Sequence, residues 1–379
     1  MQVVSRAWCR EHGWSDALPE HLDSPSTLVM VYGEPALVDD PTPIKELRAA
    51  LPDSHVVGCS TAGQILGAEL TASALVASIC RFEHTSIETI VTPVAGTPDS
   101  RDAGRRVASA LASPDLRALF VLSDGLHVNG SELVRGLADG VGPGVVVTGG
   151  LAGDKERFER TWVVADSDPL EMAVAAVGLR GDRLIVGAGS FGGFDPFGPE
   201  RLITRASGNV LYEIDGKPAL ALYKEYLGDR AGELPAAALH FPLAVRSREE
   251  SGPTVRCISG VDEDEQSLTF SGDVPEGGFA QLMRANKNRL VDGAMQAAAM
   301  GDVAVHDGDQ LAIAVSCVGR RLVLGERTEE EIEAALEALA PGAQLIGFYS
   351  YGEIAPVAGS PCELHNQTMT VTTISESSA

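Results

Sequence analysis

Three separated stretches of the chain share one form: a strand, a polar loop, a helix, a second strand, and a glycine turn closed by a polar or acidic side chain. In the first, Thr27 to Val31 reads as a strand and Ile44 to Leu51 as a helix with Ile44, Leu47 and Leu51 on one face. Val56-Val57 then enters Gly58-Cys59-Ser60-Thr61-Ala62-Gly63-Gln64. In the second, Ala118 to Leu122 is a strand, Ser131 to Leu137 a helix and Val145 to Val147 a strand, ahead of Ala152-Gly153-Asp154. In the third, Leu311 to Val315, Thr328 to Leu339 and Leu345-Ile346 lead into Tyr351-Gly352-Glu353. A unit of about 30 residues is long enough for the crossover that joins parallel strands. Its loops gather at the strands' C-terminal ends, where open α/β sheets tend to hold ligands. The closing glycine allows positive φ or a close backbone approach. The competing reading is three unrelated strand-end turns.

Between these units lie strand-like runs without helices. Ser73 to Arg81 and Ile87 to Thr92 are two; Thr161 to Val164, Met172 to Val177 and Leu184 to Ala188 form a meander. Arg201 to Arg205 and Asn209 to Glu213 lead through Asp215-Gly216 to a helix, Pro218 to Tyr226, with Pro at its start and Gly228 at its end. His240 to Val245, Val255 to Ser259 and Ser267 to Ser271 read as strands, and Gly278 to Met300 as one long helix. The mixture predicts an α+β fold: mixed sheets with strand–helix–strand units and antiparallel meanders, in two packed domains. The 379 residues suffice for two or three domains. The boundary is placed at Asp215-Gly216, giving domains 1–215 and 216–379.

A net charge of −24 and a pI near 4.6 disfavour nucleic acid and anionic lipid as partners. No apolar run reaches the roughly 18 residues of a membrane span. The start, MQVVSRAWCREHGW, lacks an apolar stretch of signal-peptide length, so the expected setting is cytoplasmic. The six cysteines contain no CxxC pair, which predicts free thiols and gives a structural zinc site no support.

Chemistry-bearing residues concentrate between Leu345 and Thr368, LIGFYSYGEIAPVAGSPCELHNQT, punctuated by Pro356, Gly359 and Pro361. Glu353 with Tyr349, Tyr351, His365 and Asn366 reads as a pocket floor for a polar ligand, with Glu353 available to an ammonium group. The alternative is a self-satisfied network closing the last sheet. Gly150 and Asp154, and Asp124 with His127 and Asn129 in SDGLHVNGSEL, mark a second candidate, where free N–H groups at a helix start could hold an anion. Simple capping by Asn129 or Ser131 explains the same residues. Cys317, three residues before Arg320, could be an activated thiol or a small core residue. HExxH, GxSxG and phosphate-loop signatures are missing, so an enzyme of unknown reaction is a distant alternative.

VVGCSTAGQI, VVVTGGLAGD, LITRASGNVLYEIDGKPALALYKEYLG, SCVGRR and GFYSYGEIAPVAG with LHNQT, in that order, resemble the FIST sensory proteins from about Thr27 to Ile374. The resemblance implies a signal-input protein with an N-terminal FIST part and a FIST C part, binding a small molecule such as an amino acid. It implies action through a separate partner, such as a histidine kinase or a cyclic-di-GMP enzyme. Part of the family resembles haem-binding nitric oxide sensors, so haem is a second expectation. His55, His84, His127, His240, His306 and His365 are available, with His365 and His127 as candidate axial ligands.

Overall fold

The computed structural model describes residues 1–234, 236–248, 253–303, 309–357 and 360–377. His306, Gly359 and the side chain of Pro361 lie outside the described residues. The fold is mixed α/β in two parts.

Among the described residues, the first part holds three six-stranded sheets, each containing one parallel pair. Thr27–Gly33 pairs with His55–Ser60, Leu116–Ser123 with Val146–Leu151, and Leu311–Cys317 with Gln344–Ser350. These are the strand pairs of the three sequence repeats. Helices Thr42–Ala50, Gly130–Gly140 and Thr328–Glu337 lie between the paired strands in sequence. Thr42–Ala50 buries Ile44 and Leu47, as their spacing predicts. On one side each pair meets an antiparallel strand close in sequence: Leu75–Arg81, Ala173–Arg180 or Met369–Glu376.

On the other side the repeats exchange strands in a cycle. Gln64–Leu66, after the first glycine turn, pairs with Gln344–Ser350 of the third repeat. Val163–Ala165, after the second, pairs with His55–Ser60 of the first. Gly352–Val357, after the third, pairs with Val146–Leu151 of the second. The turns are hydrogen-bonded in the same cyclic order: Ala62 N–H to Tyr349 O at 2.8 Å, Gly153 N–H to Ser60 O at 3.0 Å, and Tyr351 N–H to Leu151 O at 3.1 Å. Gly63 has φ +149°, a conformation that a side chain would resist. Each repeat thus satisfies the edge of another, which buries backbone groups that a lone unit would leave open.

The second part is, among the described residues, a nine-stranded sheet between Phe194 and Ala285, inserted between strand Leu184–Phe191 and helix Lys287–Gly301. Its own core includes Ile203, Leu211, Leu220, Tyr223, Val245, Leu268, Phe270 and Leu282. Asp215-Gly216 is the turn of a hairpin in this sheet, where Ile214 pairs with Lys217. The division at 215/216 therefore runs through one sheet, while strands from both sides of it share the three-sheet body.

The single helix expected over Gly278 to Met300 is corrected to strand Phe279–Ala285 followed by helix Lys287–Gly301. Ala280 and Leu282 alternate into the insert core, and Phe279–Ala285 has strand partners on both sides. Asn286 separates the two elements; its side-chain oxygen accepts the Arg289 N–H at 3.4 Å. Strand Gln2–Cys9 and helix Ser100–Leu111 had no counterpart in the sequence reading.

Candidate ligand cleft

A cavity of about 240 Å³ lies where the insert meets the three-sheet body. The body wall comes from strand ends. Cys317 closes strand Leu311–Cys317, Leu151 closes Val146–Leu151, and Tyr351 follows Gln344–Ser350. Gly125 lies just beyond Leu116–Ser123; a Cβ there would stand 2.0 Å from Ala152 O and 2.9 Å from Tyr351 Cδ2, so only glycine admits the tyrosine ring. The insert wall is built from Asn209, Leu239, Cys257, Ile258, Phe270 and Ser271, among others. The expected gathering of loops at the C-terminal ends of parallel strands is what the body contributes.

Tyr351 is anchored from behind. Its hydroxyl donates to Asp154 Oδ1 and contacts Lys155 O at 3.1 Å. The Asp154 carboxylate also accepts the N–H groups of Phe158 (2.9 Å), Glu159 (2.8 Å) and Arg160 (2.9 Å). Burial would raise the Asp154 carboxyl, but Tyr351 and the three backbone donors outweigh it and hold it below the usual range. Burial, and then Asp154, push the Tyr351 phenol up. The loop drawn onto Asp154 carries Phe158 at φ +54°, half exposed, stacked on Tyr351 with ring centroids 4.6 Å apart. Phe158 also lines the cavity and covers one side of it.

The other expected residues divide between supports and bystanders. Glu353 is fully buried and does not line the cavity. Ser350 Oγ donates to it at 2.6 Å, and the N–H and hydroxyl of Thr368 at 3.2 and 3.0 Å. Burial pushes its carboxyl well up, favouring the neutral form. Asn366 stitches the two parts together. Its Oδ1 accepts the Cys257 N–H (3.4 Å) and the Ser271 hydroxyl (3.3 Å), and its Nδ2 donates to Tyr351 O (3.5 Å). His365 stands opposite Glu353 in the last hairpin. Its Nε2 is enclosed without a hydrogen-bond partner, and burial and then Arg256 lower its pKa to about 4.

Arg320 is fully buried and paired with Glu331 at 2.7 Å. It also donates to Gly192 O and Leu290 O at 2.8 and 2.7 Å, so its charge is committed away from Cys317. Tyr349 and Ser316 donate to the other Glu331 oxygen at 2.8 and 3.1 Å, completing a buried lock. Asp124 accepts the N–H groups of Leu126 and His127 and the Thr161 hydroxyl at 2.9, 2.6 and 2.8 Å. Asn129 caps helix Gly130–Gly140 by accepting the Glu132 N–H, and also lines the cavity. Gly150 sits in its strand opposite Glu353. Of the ten expected ligand-binding residues, Tyr351 and Cys317 line the cavity. Cys257, Phe158, Asn209, Phe270 and Ser271 are lining residues that the sequence reading did not single out.

The two candidate axial histidines stand away from this cavity. Neither His127 nor His365 lines it, nor does any other histidine among the described residues, so it offers haem no imidazole ligand. The His127 ring is half exposed, with Nδ1 3.2 Å from Asp124 Oδ1.

Three interlocked strand–helix–strand sheets, a β-rich insert and a cavity at their junction define a two-part mixed α/β protein. Residues 27–217 match the FIST N domain and residues 219–356 the FIST C domain; the chain belongs to the FIST family, a family of sensory domains. An uncharacterised protein of Mycobacterium tuberculosis is 26% identical over 225 residues, covering 57% of this chain and 58% of that protein. An uncharacterised protein of Mycobacterium bovis is 26% identical over 230 residues, covering 57% of each. The match thus spans less than two thirds of these relatives. A crystal structure of cyanuric acid hydrolase from A. caulinodans is similar at a TM-score of 0.36 and 11% identity, covering 100% of this chain and 99% of that one. A likeness that low carries no conclusion about this chain.

Proposed function

We propose that this protein is a signal-input module that takes a small neutral molecule into the cleft between insert and body. The observation that carries the reading is the cavity itself: about 240 Å³, walled by both parts and, among the described residues, free of charged side chains. Phe158, Phe270 and Tyr351 supply aromatic faces, while Asn209, Ser259 and Ser271 supply polar atoms. An amino-acid zwitterion fits this lining less well. Glu353, the expected counter-ion for an ammonium group, is closed over by Ser350 and Thr368 and favours its neutral form.

A ligand touching both walls favours the arrangement in which the walls stand at its own width, and that preference shifts the population. The readout in this reading is the position of the insert on the body, sensed by a separate cytoplasmic partner such as a histidine kinase or a cyclic-di-GMP enzyme. No helix among the described residues is long and apolar enough to cross a membrane.

The test is native mass spectrometry of the purified protein, followed by thermal melting with any molecule it carries and with a panel of neutral metabolites. Leu126, at the cavity wall, is replaced by tryptophan to fill the space. The expected result is a ligand-dependent rise in Tm that Leu126→Trp abolishes while circular dichroism stays unchanged. A panel in which no molecule raises Tm, or in which Leu126→Trp responds as the unaltered protein does, overturns the reading.

A further inference from the structure

Two of the six cysteines, Cys257 and Cys317, line the cavity. They come from opposite sides of it. Cys257 lies in the insert, between strands Thr254–Arg256 and Ile258–Asp262; Cys317 ends the body strand Leu311–Cys317. One segment holds both in place. The Cys257 N–H donates to Asn366 Oδ1 at 3.4 Å, and the Cys317 N–H donates to Thr368 O at 3.1 Å. Both line the same cavity, and the neighbouring Cys257 pushes the Cys317 thiol up. Cys59 and Cys80 are instead packed in a hydrophobic core, and the Cys362 thiol is directed at Val134 O.

We propose that Cys257 and Cys317 form a thiol–disulfide switch, oxidised by a neutral low-molecular-weight disulfide that enters the cleft, and that the resulting bond fastens the insert to the body. The uncharged lining suits a neutral disulfide better than a charged one. Cys257 reacts first. Its sulfur loses a proton to water and attacks one sulfur of the small disulfide. That S–S bond breaks, one small thiolate leaves and takes up a proton, and a mixed disulfide remains on Cys257. Cys317 then loses its proton and attacks the Cys257 sulfur, and the second small thiol leaves. Two cysteine thiols are oxidised by two electrons, and one small disulfide is reduced to two thiols.

The order follows from the surroundings. The Cys317 thiol is pushed well above its ordinary range by the neighbouring Cys257 and by burial, so it stays protonated and acts as the resolving group. The second step therefore speeds up as pH rises. An S–S bond of roughly 2 Å replaces a non-bonded contact and draws the two walls together. That closure would regulate the proposed ligand site, and only this last consequence rests on the ligand reading.

The full chain is incubated with bis(2-hydroxyethyl) disulfide at pH 7 and pH 9, digested without reduction, and mapped by mass spectrometry. Hydrogen exchange is measured on the same samples. The expected product is a Cys257–Cys317 linked peptide, formed faster at pH 9, with slower exchange across 257–271 and 366–368. Cys317→Ser stops at the mixed disulfide on Cys257, and Cys257→Ser leaves Cys317 unmodified. Two free thiols after incubation, a mixed disulfide that persists on Cys257 in the unaltered chain, or linkage to another cysteine each overturn the switch. A linked pair with unchanged exchange overturns the closure. Melting of reduced and oxidised protein with a cleft ligand separates the two claims: no response in reduced protein sinks the ligand reading, while an equal response in both sinks the regulation.

Discussion

The Tyr351 hydroxyl donates to the Asp154 carboxylate, tying the closing turn of the third repeat to that of the second. The residues are 197 positions apart, and the bond sets both the tyrosine at the cleft wall and the loop that carries Phe158. Asp154→Asn removes the charge that three backbone N–H groups share. The expected cost is about 1.5–3 kcal/mol in urea unfolding, because bonds to a charged acceptor are the stronger kind. Trypsin should cut after Lys155 and Arg157 faster in Asp154→Asn than in the unaltered protein. The native Asp154 carboxyl lies below its ordinary 3.8, so its contribution is present above that value and lost as pH falls through the lower native one. Equal tryptic rates in the two proteins would show that Asp154 does not hold this loop.

His365 gives a pH dependence in a different window. Its pKa falls from the ordinary 6.5 to about 4 in the native state, so the unfolded chain takes up a proton that the folded chain refuses. The contribution is complete above about 6.5 and is lost as pH drops toward 4. Unfolding midpoints between pH 7.5 and 4.5 should therefore fall more steeply for the unaltered protein than for His365→Asn. Parallel curves would mean that the ring is hydrated and titrates normally.

The Arg320–Glu331 pair is expected to act as a unit. Glu331→Gln leaves a buried guanidinium without its counter-charge and should cost about 3–5 kcal/mol. Arg320→Met combined with Glu331→Leu should cost less than the two single changes together, because no charge remains unpaired. Urea midpoints of the four proteins decide the matter; additive losses would place the energy in packing rather than in the ion pair.

Local pattern was enough to find the repeats. Apolar runs such as Leu311 to Val315 and the helical spacing of Ile44 and Leu47 are set by what each segment must bury, and the glycine turns follow from backbone sterics. Polar groups beside buried strands need partners, which drew attention to Tyr351; Asp154 stood out by its glycine turn and Cys317 by its spacing to Arg320. It failed at Phe279–Ala285, where Leu282 and Leu290 also suit a helix face and the strand partners lie as far off as Arg201 and Leu243. It also overvalued Arg320, whose charge answers Glu331 rather than Cys317.

What the amino-acid order determined by itself is the set of elements and which face of each is apolar. The identity of the facing surface was decided only in three dimensions. The cyclic strand exchange, the placing of Cys257 and Cys317 on one cavity, and a lining that among the described residues carries no charge all depend on contacts between distant segments. Periodicity tells a chain what to hide, but the hydrophobic effect is non-directional; shape and hydrogen-bond matching among the folded parts choose the partner.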